Sequence, residues 1–174
     1  MTMAKANALI FMLFLSIRSH SQNINDANNC NFTALVWDED TKGTNVRDNP
    51  KGAIVDKIFP DTAETGFTIE VIGSKNNWIE GKYIDSNNKE KTGWIYGGMT
   101  KLATRNYDEN QTFNLYSSHD KNSAISKKIL GEKEVQVFGC YEKWAYIKVI
   151  VEGKVYFGWL EPEMQCASAV TNCS

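Results

Sequence analysis

The 174-residue chain predicts an all-β protein built from two tandem copies of one small unit. Three observations carry that expectation. No window after residue 22 has helical periodicity; short alternating runs of Val, Ile, Tyr, Phe and Trp are separated by clusters of Asn, Asp, Gly and Lys. The segment "EVIGSKNNWIEGKYIDSNNKEKTGWI" (70–95) then returns as "QVFGCYEKWAYIKVIVEGKVYFGWL" (136–160), again a tryptophan-bearing hairpin closed by Gly-Trp. The spacing is also constant: 66 residues for Gly73/Gly139 and Trp78/Trp144, and 65 for Trp94/Trp159. Fixed-period self-similarity marks a structural repeat.

The elements follow in order. "FTALVWD" reads as a strand and "EDTKGT" as a turn-rich loop. "TNVRDNP" is a short extended piece ended by Pro50, and "GAIVDKI" is another strand. "TIEVIG", "WIEGKYI" and "TGWIY" complete a meander whose polar hairpin tip is "DSNNKEK". In the second copy "FNLYSS" matches "TNVRDN", which sets Leu115 on Val46, and "SAISKKI" matches "GAIVDKI". "EVQVFG", "KWAYIKV" and "FGWL" match the remaining strands. Between the copies lies "YGGMTKLATRNYDENQ", where Met99, Leu102 and Tyr107 are able to pack, so a short and fairly rigid connection is expected.

The N-terminus predicts export. Lys5 precedes an apolar run, Ala8 to Ile17, of about ten residues, half the ~20 that a spanning helix needs. Ser19 and Ser21 occupy small-residue positions before a cleavage site, so residues 1–21 read as a signal peptide. Its removal takes away Lys5 and Arg18 and no acid, leaving 17 basic and 21 acidic side chains, net −4. That balance disfavours nucleic acid and anionic lipid, both of which reward a basic surface. Four cysteines (Cys30, Cys140, Cys166, Cys173) in an exported chain suggest two disulfides, with three connectivities open. Pairing Cys30 with Cys140 or Cys166 constrains the unfolded chain more than closing the short Cys166–Cys173 loop. No CxxC or CxxH spacing suits zinc.

These residues resemble bacterial SH3-like (SH3b) domains in tandem. "DEDTKGTNVRDNP" (38–50) is similar to that family's Asp-rich loop, followed by Asn-Val-Arg and a Pro-containing turn. "EVIGSKNNW" and Gly93–Ile95 resemble its Val-x-Gly strand leading to Trp and its closing Gly-Trp. The second copy repeats the pattern in "FNLYSS", "VQVFGCYEKW" and "FGWL", with Tyr116 in place of Arg and no Pro after it. The resemblance implies two small SH3-like β-barrels, over residues 30–103 and 104–166, with a C-terminal tail at 167–174. It also implies binding, to cell-wall peptides or other envelope ligands, by a secreted or periplasmic monomer.

Chemistry finds little foothold. Once residues 1–21 are gone, His119 in "SSHDKN" is the one histidine, and Cys140 sits at a strand end with nothing to activate a thiolate. The acids lie in loops without an apolar setting to raise a pKa, which disfavours paired-carboxylate hydrolysis. "DEDTKGTNVRDN" lacks the twelfth-position Glu of a calcium loop, having Asn49 there. Neither an enzyme nor a cofactor or metal site is therefore expected. Trp94 and Trp159 follow glycine among apolar neighbours and are expected to pack inward, whereas Trp78 and Trp144 begin strands after polar turns. An aromatic groove lined by Trp37, Trp78, Tyr83, Tyr96, Tyr116 and Trp144 and edged by Asp38 and Asp40 would suit a peptide carrying an amine. The first copy keeps more of the family loop, so it is expected to bind and the second to be chiefly structural. The rival expectation is an inhibitor or adaptor that docks on a secreted hydrolase or another envelope protein.

Overall fold

A computed structural model describes residues 29–38, 42–59 and 66–168. The expected signal peptide at 1–21, Asp40, Cys173 and most of the expected tail lie outside the described residues. Thirteen strands and two single-turn 3-10 segments make up its regular structure. The first half holds β1 (Phe32–Val36), β2 (Thr44–Arg47), β3 (Ile54–Ile58), β4 (Phe67–Lys75), β5 (Trp78–Ile84) and β6 (Glu90–Tyr96). A 3-10 turn (Gly97–Met99) leads into β7 (Thr100–Thr104). The second half holds β8 (Thr112–Tyr116), β9 (Ile125–Leu130), β10 (Glu134–Tyr141), β11 (Trp144–Val151) and β12 (Lys154–Leu160). A second 3-10 turn (Pro162–Met164) and β13 (Gln165–Cys166) close the described chain.

The fold is all-β. Its strands form one antiparallel sheet in the order β3-β2-β6-β5-β4-β1-β7-β10-β11-β12-β8-β9, with β13 beside β7. The sheet is open, with β3 and β9 as the ends of the path. That order is a palindrome of the repeat: reading outward from the β1–β7 ladder, each strand on one side meets its own duplicate on the other. The register repeats as well, since Glu70↔Lys82 in the first half matches Gln136↔Lys148 in the second. The segment expected as a rigid connection is itself a strand. Its Thr100, Leu102 and Thr104 are buried, while Lys101 pairs with Leu35 of β1 on one edge and Gln136 of β10 on the other. The predicted boundary between residues 103 and 104 thus falls inside β7.

Alternation fills the interior. Ile79, Gly81 and Tyr83 of β5 point inward, as do Ala145, Ile147 and Val149 of β11, joined by Val46, Ile69, Val71, Ile95, Phe113, Leu115 and Leu160. The glycines of the two Gly-Trp pairs mark where another strand's side chain fills the space a Cβ would take. A Cβ on Gly93 would lie 2.3 Å from Val46 Cγ1, and one on Gly158 3.0 Å from Leu115 Cβ. Val46 and Leu115 are themselves duplicates, so the same packing device occurs twice.

Further contacts join the halves. Cys30 is disulfide-bonded to Cys140, 110 residues away, and Cys166 is also a half-cystine. These bonds are compatible with an oxidising compartment outside the cytoplasm. Ser74 Oγ accepts the Cys140 N–H at 3.0 Å with both residues fully buried, and these two hold the same position in their respective copies. Gln136 Nε2 donates to Gly98 O at 2.9 Å.

Two expectations follow for stability. Removing the long-range disulfide in Cys30→Ala/Cys140→Ala should cost roughly 2–5 kcal/mol in urea melts. Gly93→Ala should lose roughly 1–3 kcal/mol and destabilise more than Gly158→Ala, because its added methyl meets its neighbour at shorter range.

Candidate functional site

Outward-facing residues distinguish the two copies. On the β5–β6 hairpin the outward cross-strand pairs are Glu80/Trp94, Lys82/Thr92 and Ile84/Glu90, a mostly polar surface. On β11–β12 the same three pairs are Tyr146/Trp159, Lys148/Phe157 and Ile150/Val155. Glu80, Thr92 and Glu90 of one copy are thus Tyr146, Phe157 and Val155 in the other. The second hairpin is apolar on both faces, and its outer face stays open: Phe157, Ile150 and Val155 are 48%, 58% and 50% exposed. A contiguous apolar surface of this kind on a folded domain marks an interaction site more often than a solvated wall.

Rings extend this face across the join. Trp78 meets Tyr96 (centroids 5.8 Å), Tyr96 meets Phe138 (6.0 Å), and Phe138 meets Phe157 (6.1 Å). Phe157 continues to Tyr146 (6.2 Å), Tyr146 to Trp159 (5.3 Å), and Trp159 to His119 (5.4 Å). His119 stacks on Tyr141 at 3.7 Å. Most of these contacts are edge-to-face, the arrangement that aromatic quadrupoles favour, so each ring holds its neighbour's orientation. Burial pushes the Tyr146 hydroxyl above the ordinary tyrosine range. The guanidinium of Arg47 lies 5.7 Å from the Trp78 ring and caps the first-half end of the string.

The residues expected to line one groove fall into separate places. Trp78 and Tyr96 lie together at the head of the ring string. Tyr116, buried, contacts Trp144 at 5.5 Å, and its hydroxyl accepts from Asn114 Nδ2 at 3.2 Å. Trp37 carries Lys101 Nζ 5.4 Å from its ring, and Asp38 Oδ2 accepts the Thr44 hydroxyl at 3.1 Å. Asp40 lies outside the described residues. Tyr83 points to the opposite side of β5 from Trp78, because strand residues five apart face opposite ways. Trp159 and Trp94, expected to pack inward, lie on the outer face: Trp159 is 5% exposed beneath Tyr146 and His119, and Trp94 is half-buried.

Tyr83 belongs to a cavity of about 720 Å³ beside the β5–β6 hairpin tip, lined also by Phe59, Phe67 and Ile84. Its hydroxyl donates to Asp56 Oδ2 at 2.8 Å, and Lys91 Nζ bridges Asp56 (2.8 Å) and Asp85 (3.0 Å). Desolvation, with the Asp56 charge adding to it, lifts the Tyr83 hydroxyl far above its usual range. Backbone N–H groups of Lys89 and Asn87, together with the Lys91 ammonium, hold Asp85 down at about 2. These contacts tie the hairpin tip to β3, so the carboxylate–lysine cluster acts as a clasp on the hairpin. In the second copy Val149 and Lys127, the latter 5.0 Å from the Tyr156 ring, stand in its place.

The chain matches no family model and no curated protein. Among solved structures it is similar to NlpC2 from Trichomonas vaginalis, at 14% identity and TM-score 0.30 over 79% of this chain and 48% of that one. It is also similar to NlpC1 from Trichomonas vaginalis, at 14% identity and TM-score 0.32 over 90% and 50%. The chain thus spans about half the length of each.

The clasp has a pH signature. The folded-state pKa of Asp85 lies at about 2, below its ordinary 3.8. Its stabilisation is therefore present above about pH 4 and lost as pH falls toward the folded value. Melting temperature should drop between about pH 4 and 2, and Lys91→Met should flatten that slope while leaving the neutral-pH fold intact by circular dichroism.

Proposed function

We propose that this chain is an exported, non-enzymatic binding protein of the cell envelope, made of two SH3b-like units, whose outer β11–β12 face docks a polypeptide. One observation carries the reading: on the outer face Glu80, Thr92 and Glu90 of the first copy are Tyr146, Phe157 and Val155 in the second, while Lys82/Lys148, Ile84/Ile150 and Trp94/Trp159 are kept. Exchanging three polar side chains for apolar ones on an exposed face fits a change of partner. A saccharide would need several side-chain donors and acceptors for its hydroxyls, and among the outward pairs of this face Lys148 is the one charged side chain. Aromatic rings flanked by branched aliphatic side chains instead match the composition of a protein interface core. This reading puts the binding surface on the second unit, with Trp78 and Tyr96 of the first as its extension.

The non-catalytic part of the reading is supported by where the chemistry-bearing groups go. The Cys140 sulfur is committed to Cys30, and His119 is stacked on Tyr141 and edge-to-face with Trp159. The geometry therefore favours an envelope protein as the ligand, in an adaptor or inhibitor role, over isolated wall material.

The test is a pull-down with the mature chain, residues 22–174, on purified peptidoglycan and on the soluble envelope fraction of its source. Capture of an envelope protein is expected, weakened about tenfold or more in Phe157→Ser/Val155→Thr, as for loss of a buried apolar anchor. Retention on peptidoglycan that this double variant leaves unchanged would overturn the reading.

A further inference from the structure

Lys82 and Lys148 occupy the same place in the two copies, yet their surroundings differ in one decisive way. Lys82 Nζ is held between two carboxylates, 3.6 Å from Glu70 and 2.9 Å from Glu90. These acids lift its pKa above the ordinary lysine value, Glu90 contributing most. Glu70 is its cross-strand partner, and Glu90 lies diagonally across the hairpin. At Lys148 both acids are gone. The cross-strand partner is Gln136, whose amide nitrogen is engaged with Gly98 O, and the diagonal position is Val155. The remaining neighbours on that face are Tyr146, Ile150 and Phe157. Among the described residues Lys148 makes no ion pair.

We infer that Lys148 is the specificity determinant of the apolar face, and that the docked segment presents a carboxylate to its ammonium between flanking apolar residues. This rests on the polypeptide-docking reading above. The Lys148 side chain is half-buried among apolar neighbours, with no counter-ion among the described residues. Covering the face with a neutral partner would strip water from its ammonium and leave a buried unpaired charge, which an interface penalises heavily. A partner that brings an Asp, a Glu or a chain terminus replaces the two carboxylates the duplicate lacks. Lys148 is paired on both edges of β11, with Gln136 and Phe157, so its recognition proceeds through the side chain and not by strand addition at β11. The open sheet face encloses no acyl chain, which favours a peptide carboxylate over that of a fatty acid.

The test is selection of random twelve-residue displayed peptides on the mature chain, on Lys148→Glu, on Lys148→Met and on Phe157→Ser/Val155→Thr, with palmitate binding measured in parallel. All variants are first matched for folding by circular dichroism. Wild-type protein should enrich peptides with Asp or Glu between apolar residues, and these should bind Lys148→Met about tenfold more weakly, as for loss of one charge-assisted contact. Lys148→Glu should enrich Lys or Arg instead. The same charge composition from wild type and Lys148→Glu overturns the inference while leaving apolar docking in place. Peptides that bind Phe157→Ser/Val155→Thr as well as wild type, or no enrichment at all, overturn the docking reading itself. Palmitate bound in place of peptide overturns the inference and transfers the ammonium to a lipid carboxylate.

Discussion

The ladder between β1 and β7 is the constraint on which the rest of the molecule depends. It contains two residue pairs, Leu35↔Lys101 and Val36↔Thr100, yet it joins the first strand of one copy to the first strand of the next. Because β7 also pairs with β10, each half is bonded to the other through a strand that both need. A repeat of this size alone buries little and has a marginal core. Sharing a strand removes one exposed edge from each copy, the place where an isolated small sheet is most prone to mispair. The Cys30–Cys140 bond and the buried Ser74–Cys140 hydrogen bond then tie together β4 and β10, which flank that ladder on opposite sides.

On this common frame the two copies have separated in character. Several inward positions stay apolar, as in Val46 and Leu115, Ile79 and Ala145, Ile95 and Leu160, while Tyr83 becomes Val149. On the outer face Glu80, Thr92 and Glu90 became Tyr146, Phe157 and Val155. The first copy invests its surface in ion pairs, with Lys82 between two glutamates and Lys91 between two aspartates. Such exposed pairs add little stability, but they keep a sheet face wet and solitary. The second copy puts rings and branched chains at the matching places, which favours company over solitude.

Much of the strand order was legible because inward Val, Ile and Leu alternate with polar residues at period two. β7 was not, since two of its three inward positions are threonine, Thr100 and Thr104, and a Gly-Gly pair precedes it. A polar residue buried by neighbours on both edges carries no hydrophobic signature. The aromatic residues were recognisable one by one, but their grouping depends on strand parity, which set Tyr83 apart from Trp78. The apolar face itself was present in the aligned repeats, as Glu80 against Tyr146 and Thr92 against Phe157. Reading the aromatics for what they share hid it; reading them for where the copies differ brings it out.

The position of the disulfide along the chain has a consequence for how the protein matures. Cys30 is synthesised 110 residues ahead of Cys140, a delay of roughly 5–20 s at ordinary elongation rates of about 5–20 residues per second. No other cysteine lies between them. The first thiol that can meet Cys30 as the chain emerges in order is therefore its native partner, and the two remaining cysteines arrive only afterwards. Vectorial emergence alone thus favours the correct bond, without an isomerase having to undo a wrong one.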